Sequence, residues 1–121
     1  MKKLTAHRQD PWIGVDLDGT LALVDYERPY DYRHIGEPVP LMLKRVLEWK
    51  AQGKRVKIFT ARVAGSIDIG DVVHVIHQWC IKHGLGYLEI TATKDGGMEW
   101  LWDDRAVGVI RNTGRVAPGP K

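Results

Sequence analysis

The stretch Trp12-Ile-Gly-Val-Asp-Leu-Asp-Gly-Thr-Leu21 decides the fold of this chain. Residues 12–16 are almost continuously apolar, which is typical of a strand buried on both faces of a parallel sheet. The run ends in two carboxylates, Asp16 and Asp18, which lie on the same side of a strand because side chains alternate. Two such acids repel each other unless a cation or a shared proton relieves the repulsion. The stretch therefore predicts a metal site at a strand end, and a metal beside a carboxylate favours phosphate chemistry.

Strands and helices are predicted to alternate along the rest of the chain. Further strands are predicted at 54–60, 87–91, 98–102 and 107–110, and helices from Pro40 to Gly53 and from Asp68 or Asp71 to His83. Residues 21–37, called the flap below, are expected to be irregular, as are 1–11 and 111–121. The pattern indicates right-handed βαβ units. We therefore predict one α/β domain over residues 1–121: a three-layer, Rossmann-like parallel sheet with helices on both faces.

Composition limits the class of protein. The chain has 121 residues, a formal net charge of +3 and a single cysteine, Cys80, which has no internal disulfide partner. No segment approaches the ~20 apolar residues that a membrane span needs. The first ten residues lack the apolar run of a secretory signal. We expect a soluble, cytoplasmic protein. Its mild positive charge fits either an anionic partner or an ordinary basic surface.

Polar side chains collect where the predicted strands end. They are Asp16 and Asp18 after the first strand, Thr60 and Arg62 after the second, Lys94 after the third, and Asp103 and Asp104 after the fourth. Each alone has an ordinary explanation as a turn, a cap or a solvated loop residue. In an open parallel sheet, however, all these positions share the carboxyl edge, where ligands bind. Their joint placement favours a functional site.

These motifs together resemble the haloacid dehalogenase (HAD) superfamily of phosphatases and phosphotransferases. The resemblance rests on Asp16-Leu-Asp-Gly-Thr-Leu21, Thr60-Ala-Arg62, Lys94 and Trp102-Asp-Asp-Arg105, and covers about residues 12–110. It implies a HAD-like hydrolase domain that hydrolyses phosphomonoesters with Mg²⁺ through an aspartyl-phosphate intermediate.

The resemblance also implies a role for each acid. Asp16 would be the nucleophile and a Mg²⁺ ligand. Asp18 would be the general acid and then the general base, and would offer the metal only its backbone carbonyl. Asp103 would ligate Mg²⁺, while Asp104 would either ligate it directly or hold a metal-bound water.

The remaining matched residues would contact the phosphate. Thr60 would donate a hydrogen bond to a phosphoryl oxygen, and Lys94 would pair with the nucleophile and the phosphate. Arg62 leaves two interpretations open: a bidentate contact with a substrate phosphate, or a surface arginine in a mobile loop.

The size of the chain bears on the substrate. The two windows in which HAD proteins carry a cap domain, 21–54 and 61–93, are too short for one here. A capless site is open to water, so we expect a large substrate or a homo-oligomer to cover it. Arg28-Pro-Tyr-Asp-Tyr32 resembles phosphatase domains of the bacteriophage polynucleotide kinase-phosphatase type, which implies nucleotides or nucleic-acid 3′ ends as substrates. A non-catalytic metal- or phosphate-binding module with this fold is the alternative.

Overall fold

The computed structural model describes residues 10–65 and 68–119. The elements are β1 (Trp12–Val15), α1 (Pro40–Ala51), β2 (Val56–Phe59), a short 3₁₀-helix (Ala61–Val63), α2 (Ile69–Lys82), β3 (Glu89–Thr91) and β4 (Met98–Trp102). The strands form one sheet in the order β3-β2-β1-β4, and every neighbouring pair is parallel. The prediction of an α/β fold on a parallel sheet is therefore confirmed. Residues 1–9 and 120–121, predicted to be irregular, lie outside the described residues.

Both helices lie on the same face of the sheet. Ile13 and Val15 of β1 point to one face, and Trp12 and Gly14 point to the other. Ile13 and Val15 belong to a buried cluster to which α1 and α2 both contribute. Right-handed crossovers from β1 to β2 and on to β3 move in one direction across the sheet, which places both helices on one side. The prediction of three layers with helices on both faces is therefore wrong for the described residues.

A loop covers part of the opposite face. This connection from β3 to β4, residues 92–97, contains no helix. Its Asp95 accepts a hydrogen bond from Trp12 Nε1 at 2.8 Å. Phe59 stacks beside Trp12 with ring centroids 6.4 Å apart, and Lys57 Nζ lies 4.3 Å from the Trp12 ring centroid. Trp12 is only 1% exposed, so these contacts replace the packing of a helix.

Apolar spacing accounts for the two helices, which match their predicted positions closely. The buried residues recur one or two helical turns apart: Met42 and Val46 in α1, and Val72, Ile76, Trp79 and Cys80 in α2. α1 also approaches β4, where the Trp49 and Trp102 rings lie 5.3 Å apart. Among the described residues, neither helix combines the length and apolarity needed to cross a membrane.

The predicted fifth strand, 107–110, is not part of the sheet, and that prediction is wrong. Val109 instead forms a single antiparallel bridge with Val116. The chain reverses between them through Asn112 and Gly114, whose φ angles are +64° and +75°. A local turn thus satisfies backbone groups that the sheet was expected to pair. In the described part of the chain, β4 is an edge strand.

Candidate functional site

A cleft of about 830 Å³ opens at the carboxyl edge of the sheet. Its volume lies in the range of sites that bind small molecules. Most of the predicted site residues line it: Asp16 and Asp18 beyond β1, Thr60 and Arg62 beyond β2, and Asp103 beyond β4. The strand-end pattern in the sequence therefore locates a real cleft.

Three carboxylates converge on one side of this cleft. Side-chain oxygens of Asp16, Asp103 and Asp104 lie within 4.8 Å of one another. They meet because β1 and β4 are neighbours, with Val15 paired to Trp102 at their ends. Carboxylate oxygens are the ligands that Mg²⁺ prefers, and this acidic cluster could hold one such ion.

The charge state of Asp16 reflects this crowding. Burial, a hydrogen bond with Asp104 and the charge of Asp103 together raise the pKa of Asp16 to about 7, and the Thr20 hydroxyl opposes the rise. A divalent cation would stabilise the ionised carboxylate and relieve the same repulsion. The donor atoms and their charges therefore fit a hard cation.

Thr20 and Gly19 organise the acidic cluster, and the sequence interpretation gave neither a role. Thr20 Oγ1 lies 3.2 Å from Asp16 Oδ2 and 3.3 Å from Asp104 Oδ1, and it accepts the Asp104 backbone N–H at 3.0 Å. At Gly19, where φ is +90°, a Cβ would lie 2.6 Å from Asp104 Oδ2. The sequence signal for these two roles was the position of Gly19 and Thr20 directly after the two acids.

Asp18 stands apart from the acidic cluster because Arg62 holds it. Arg62 Nε and Nη2 donate to the two carboxylate oxygens of Asp18 at 2.7 and 2.8 Å. The same guanidinium donates to the flap carbonyls of Tyr32 and His34, at 3.1 and 3.0 Å. The Arg62 side chain is only 8% exposed. The interpretation of Arg62 as a surface arginine is therefore wrong: it ties the cleft to the flap.

The ionisation of Arg62 follows from these partners. Burial disfavours its charged form, but the hydrogen bond and charge of Asp18 outweigh burial, so the pKa of Arg62 is raised. The guanidinium is thus a fixed positive charge on one wall of the cleft. An anion that displaces Asp18 can accept the same pair of hydrogen bonds from the Arg62 guanidinium.

Thr60 is a buried polar residue at the end of β2, with only 2% exposure. Its hydroxyl oxygen accepts the Arg62 backbone N–H at 3.1 Å and so begins the 3₁₀-helix. Its own N–H donates to Thr91 O at 2.9 Å. Over residues 10–65 and 68–119, no acceptor takes the Thr60 hydroxyl proton, so the hydroxyl could donate it to a group bound in the cleft.

Lys94 does not join the other predicted residues. It is exposed, and Ala92 is the residue of loop 92–97 that lines the cleft. Over residues 10–65 and 68–119, no ion pair connects Lys94 to a carboxylate. The bond from Trp12 to Asp95 holds the loop against the opposite face of the sheet. Arg105, the last residue of the Trp102-Asp-Asp-Arg105 motif, lines the cleft.

The flap forms the wall of the cleft beside Asp18. It is irregular, as predicted, and closed at its base, where Leu23 N donates to Glu37 O at 2.8 Å. Two of its aromatic residues, Tyr26 and Tyr30, line the cleft. The flap contains three tyrosines, and the sequence carries no signal for which of them would face the cleft.

Comparisons with known proteins bear on the fold. A solved structure of a conserved protein from Bacteroides thetaiotaomicron is similar, with a TM-score of 0.55 and 21% sequence identity, over 86% of this chain and 84% of that chain. No protein-family model and no curated protein matches the chain. At this identity the likeness supports a shared α/β fold and nothing about activity.

Proposed function

We propose that this protein is a HAD-type, Mg²⁺-dependent phosphomonoesterase that acts through an aspartyl-phosphate on Asp16. The observation that carries the proposal is the convergence of Asp16, Asp103 and Asp104 in a cleft that also holds Thr60 and Arg62. Clustered carboxylates beside hydroxyl and guanidinium donors suit the binding and transfer of a phosphoryl group.

In this proposal Asp16 and Asp103 hold Mg²⁺, together with the backbone carbonyl of Asp18. Asp104 is a further ligand or the holder of a metal-bound water. The bound ion would offset the negative charge of the phosphoryl oxygens. The fit rests on hard oxygen donors and on the convergence of three carboxylates within 4.8 Å of one another.

The proposed reaction has two displacements. In the first, an oxygen of Asp16 attacks phosphorus, the bond from phosphorus to the leaving oxygen breaks, and Asp18 gives that oxygen a proton. In the second, Asp18 takes a proton from a water whose oxygen attacks phosphorus, and the bond to Asp16 breaks to release phosphate. Thr60 donates a hydrogen bond to the phosphoryl group throughout.

The pair between Arg62 and Asp18 has to open during this cycle, because both carboxylate oxygens of Asp18 accept from Arg62. A phosphate dianion presents a guanidinium with the same pair of acceptors. Substrate binding would thus exchange one anionic partner of Arg62 for another. The exchange would free Asp18 to take up a proton from solvent and to face the leaving oxygen.

The test is hydrolysis of phenyl phosphate with and without Mg²⁺. We expect Mg²⁺-dependent release of phosphate, and a loss of about 10³-fold or more in Asp16→Asn, which keeps the size but removes the nucleophile. Asp10→Asn, at an exposed carboxylate that precedes β1 and does not line the cleft, is the matched control and should retain activity. Equal rates for the native chain and Asp16→Asn would exclude the proposal.

A non-catalytic metal- and phosphate-binding module is the second candidate, and the closed pair between Asp18 and Arg62 favours it. Fluoroberyllate, a phosphoryl mimic that bonds to an aspartate nucleophile, separates the two in the presence of Mg²⁺. Attachment to Asp16, observed by ¹⁹F NMR, supports the enzyme. Absence of attachment together with retained phosphate binding supports the module.

A further inference from the structure

A second groove, of about 480 Å³, adjoins the cleft on the flap side. The two share Asp18, Tyr26, Tyr30 and Arg62, so they form one continuous depression. The groove volume falls within the range of small-molecule sites. The cleft is thus extended in one direction, past Asp18 and under the flap.

Two tyrosine rings stand where the cleft meets the groove. Tyr26 is 66% exposed and Tyr30 is 68% exposed. The Arg62 guanidinium lies 5.3 Å from the Tyr30 ring centroid, and the exposure of Tyr30 leaves ring surface open to a ligand. Flat, exposed aromatic surface beside a polar cleft is suited to stacking against a planar ring.

Tyr26 extends from the flap towards the acidic cluster. It lines both the cleft and the groove, so its ring lies where the two meet. Leu23 and Val24 add apolar side chains to the groove lining.

The position of Asp18 indicates which part of a substrate would occupy the groove. A general acid has to face the leaving oxygen, and the phosphoryl group has to lie against Asp16. Because the groove begins at Asp18, the leaving group extends from the cleft into it.

The charges of the groove disfavour a polyanionic leaving group. Its lining carries four carboxylates and two guanidiniums: Asp18, Asp25, Glu27 and Asp31 against Arg28 and Arg62. A nucleic-acid strand is bound mainly through basic contacts to successive phosphates, and this lining does not supply them. A small, uncharged leaving group matches it better.

We infer that the groove binds the leaving group of the substrate and that this group carries a planar ring which stacks on Tyr30 and Tyr26. The inference rests on the proposed function and narrows its substrate class to small phosphate monoesters of ring-bearing alcohols. An aryl phosphate and a mononucleotide share this chemistry. The groove therefore supplies the selectivity that a capless cleft would otherwise lack.

The experiment compares kcat/KM for phenyl phosphate, a nucleoside 3′-monophosphate and glycerol phosphate, with Mg²⁺ present. We expect the better ring-bearing substrate to exceed glycerol phosphate by about tenfold, the scale of one stacking contact. Tyr30→Leu should raise KM for ring-bearing substrates by more than for glycerol phosphate, while Tyr30→Phe keeps the preference. Tyr87→Leu, at a tyrosine with 70% exposure before β3, is the matched control.

The outcomes separate this inference from the proposed function. Equal kcat/KM for all three esters, unaffected by Tyr30→Leu, overturns the inference and leaves the phosphatase. A 3′-phosphorylated oligonucleotide preferred over the mononucleotide overturns it in favour of a polymer substrate. If no ester is hydrolysed, the proposed phosphatase activity is wrong, and a binding experiment tests the groove by itself. It compares the affinities of benzylphosphonate and propylphosphonate for the Mg²⁺-loaded protein. Tighter binding of benzylphosphonate that is lost in Tyr30→Leu supports the groove as a ring-binding site, and any other result overturns the inference.

Discussion

Asp16 is a half-buried carboxylate whose surroundings favour its protonated form. Its ordinary pKa of 3.8 is raised to about 7 in the fold, first by burial and then by Asp104 and Asp103. A group whose pKa is raised on folding contributes stability that is fully present below its unfolded pKa and is lost as pH rises through the folded value. Without a divalent cation, the protein should therefore lose stability between about pH 4 and about pH 8.

Mg²⁺ should restore that stability, because it binds the ionised form of Asp16. The effect should be larger at higher pH, where fewer protons compete with the cation for this carboxylate. We expect a larger Mg²⁺-induced rise in Tm at about pH 8 than at about pH 6. Asp16→Asn should lose most of both the pH dependence and the Mg²⁺ effect, whereas Asp10→Asn should keep both. Equal Mg²⁺ effects at the two pH values would contradict this account of Asp16.

Gly19 lets Asp104 approach the backbone that follows β1. In Gly19→Ala the new Cβ meets Asp104 Oδ2 at 2.6 Å while φ is +90°. Gly53→Ala is the matched control, since φ there is +79° and nothing lies within 4 Å. We expect about 1 kcal/mol of destabilisation at Gly53 and about 2–3 kcal/mol at Gly19, with weaker Mg²⁺ binding only at Gly19. Urea denaturation and calorimetric Mg²⁺ titration measure the two effects, and equal losses would show that the contact with Asp104 does not matter.

At the scale of elements, Arg62 joins the 3₁₀-helix after β2 to the flap. Arg55 offers a comparison, because it also grips a carboxylate with two donors, at 2.6 and 2.8 Å to Glu89, but is 41% exposed. Arg62→Ala leaves Asp18 without its counter-charge, so we expect the free energy of unfolding to fall by about 2–4 kcal/mol. For Arg55→Ala we expect a fall of less than about 1 kcal/mol.

The same pair of variants tests whether Arg62 holds the flap in place. Trypsin should cleave after Arg33 much faster in Arg62→Ala than in the native chain, because two carbonyl contacts to the flap are lost. Arg55→Ala should leave the cleavage rate unchanged. Similar cleavage rates in both variants would mean that other contacts fix the flap.

Residues 106–119 contribute nothing to the buried core. The core cluster includes none of the described residues beyond Trp102, and Val107, Val109 and Val116 are each more than half exposed. A chain truncated after Arg105 should therefore still unfold cooperatively, with a free energy of unfolding lower by less than about 1–2 kcal/mol. Chemical denaturation followed by tryptophan fluorescence measures it, and loss of the cooperative transition would show that this segment completes the fold.

Across the whole molecule, the sequence predicted what depends on local pattern and on the geometry of parallel strands. Residues that directly follow β1, β2 and β4 were located correctly because the carboxyl ends of parallel strands meet at one edge. Lys94 was not, because the direction of its loop depends on the long-range bond between Asp95 and Trp12. Residues 107–110 have the apolar pattern of a strand whether they pair with a sheet or with Val116.

Local sequence pattern predicted neither the partner of Arg62 nor the placement of both helices on one face of the sheet. Arg62 meets Asp18 and the flap only after the chain has folded, so its sequence context suggested a loop arginine. The helices lie on one face because β1, β2 and β3 follow one another in order across the sheet. No periodicity in the sequence encodes that order. The lengths of the two segments predicted that the chain has no cap domain, but nothing in the sequence predicted the groove under the flap.

The aspartyl-phosphate is the central claim, and trapping it is the most direct test. The protein is mixed with phenyl phosphate and Mg²⁺, quenched in acid and reduced with borohydride, which converts an aspartyl-phosphate to homoserine. Peptide mass spectrometry should find homoserine at position 16, only with Mg²⁺ and substrate present, and unmodified Asp18. Phosphate release without modification of Asp16, or modification of another carboxylate, would contradict the account.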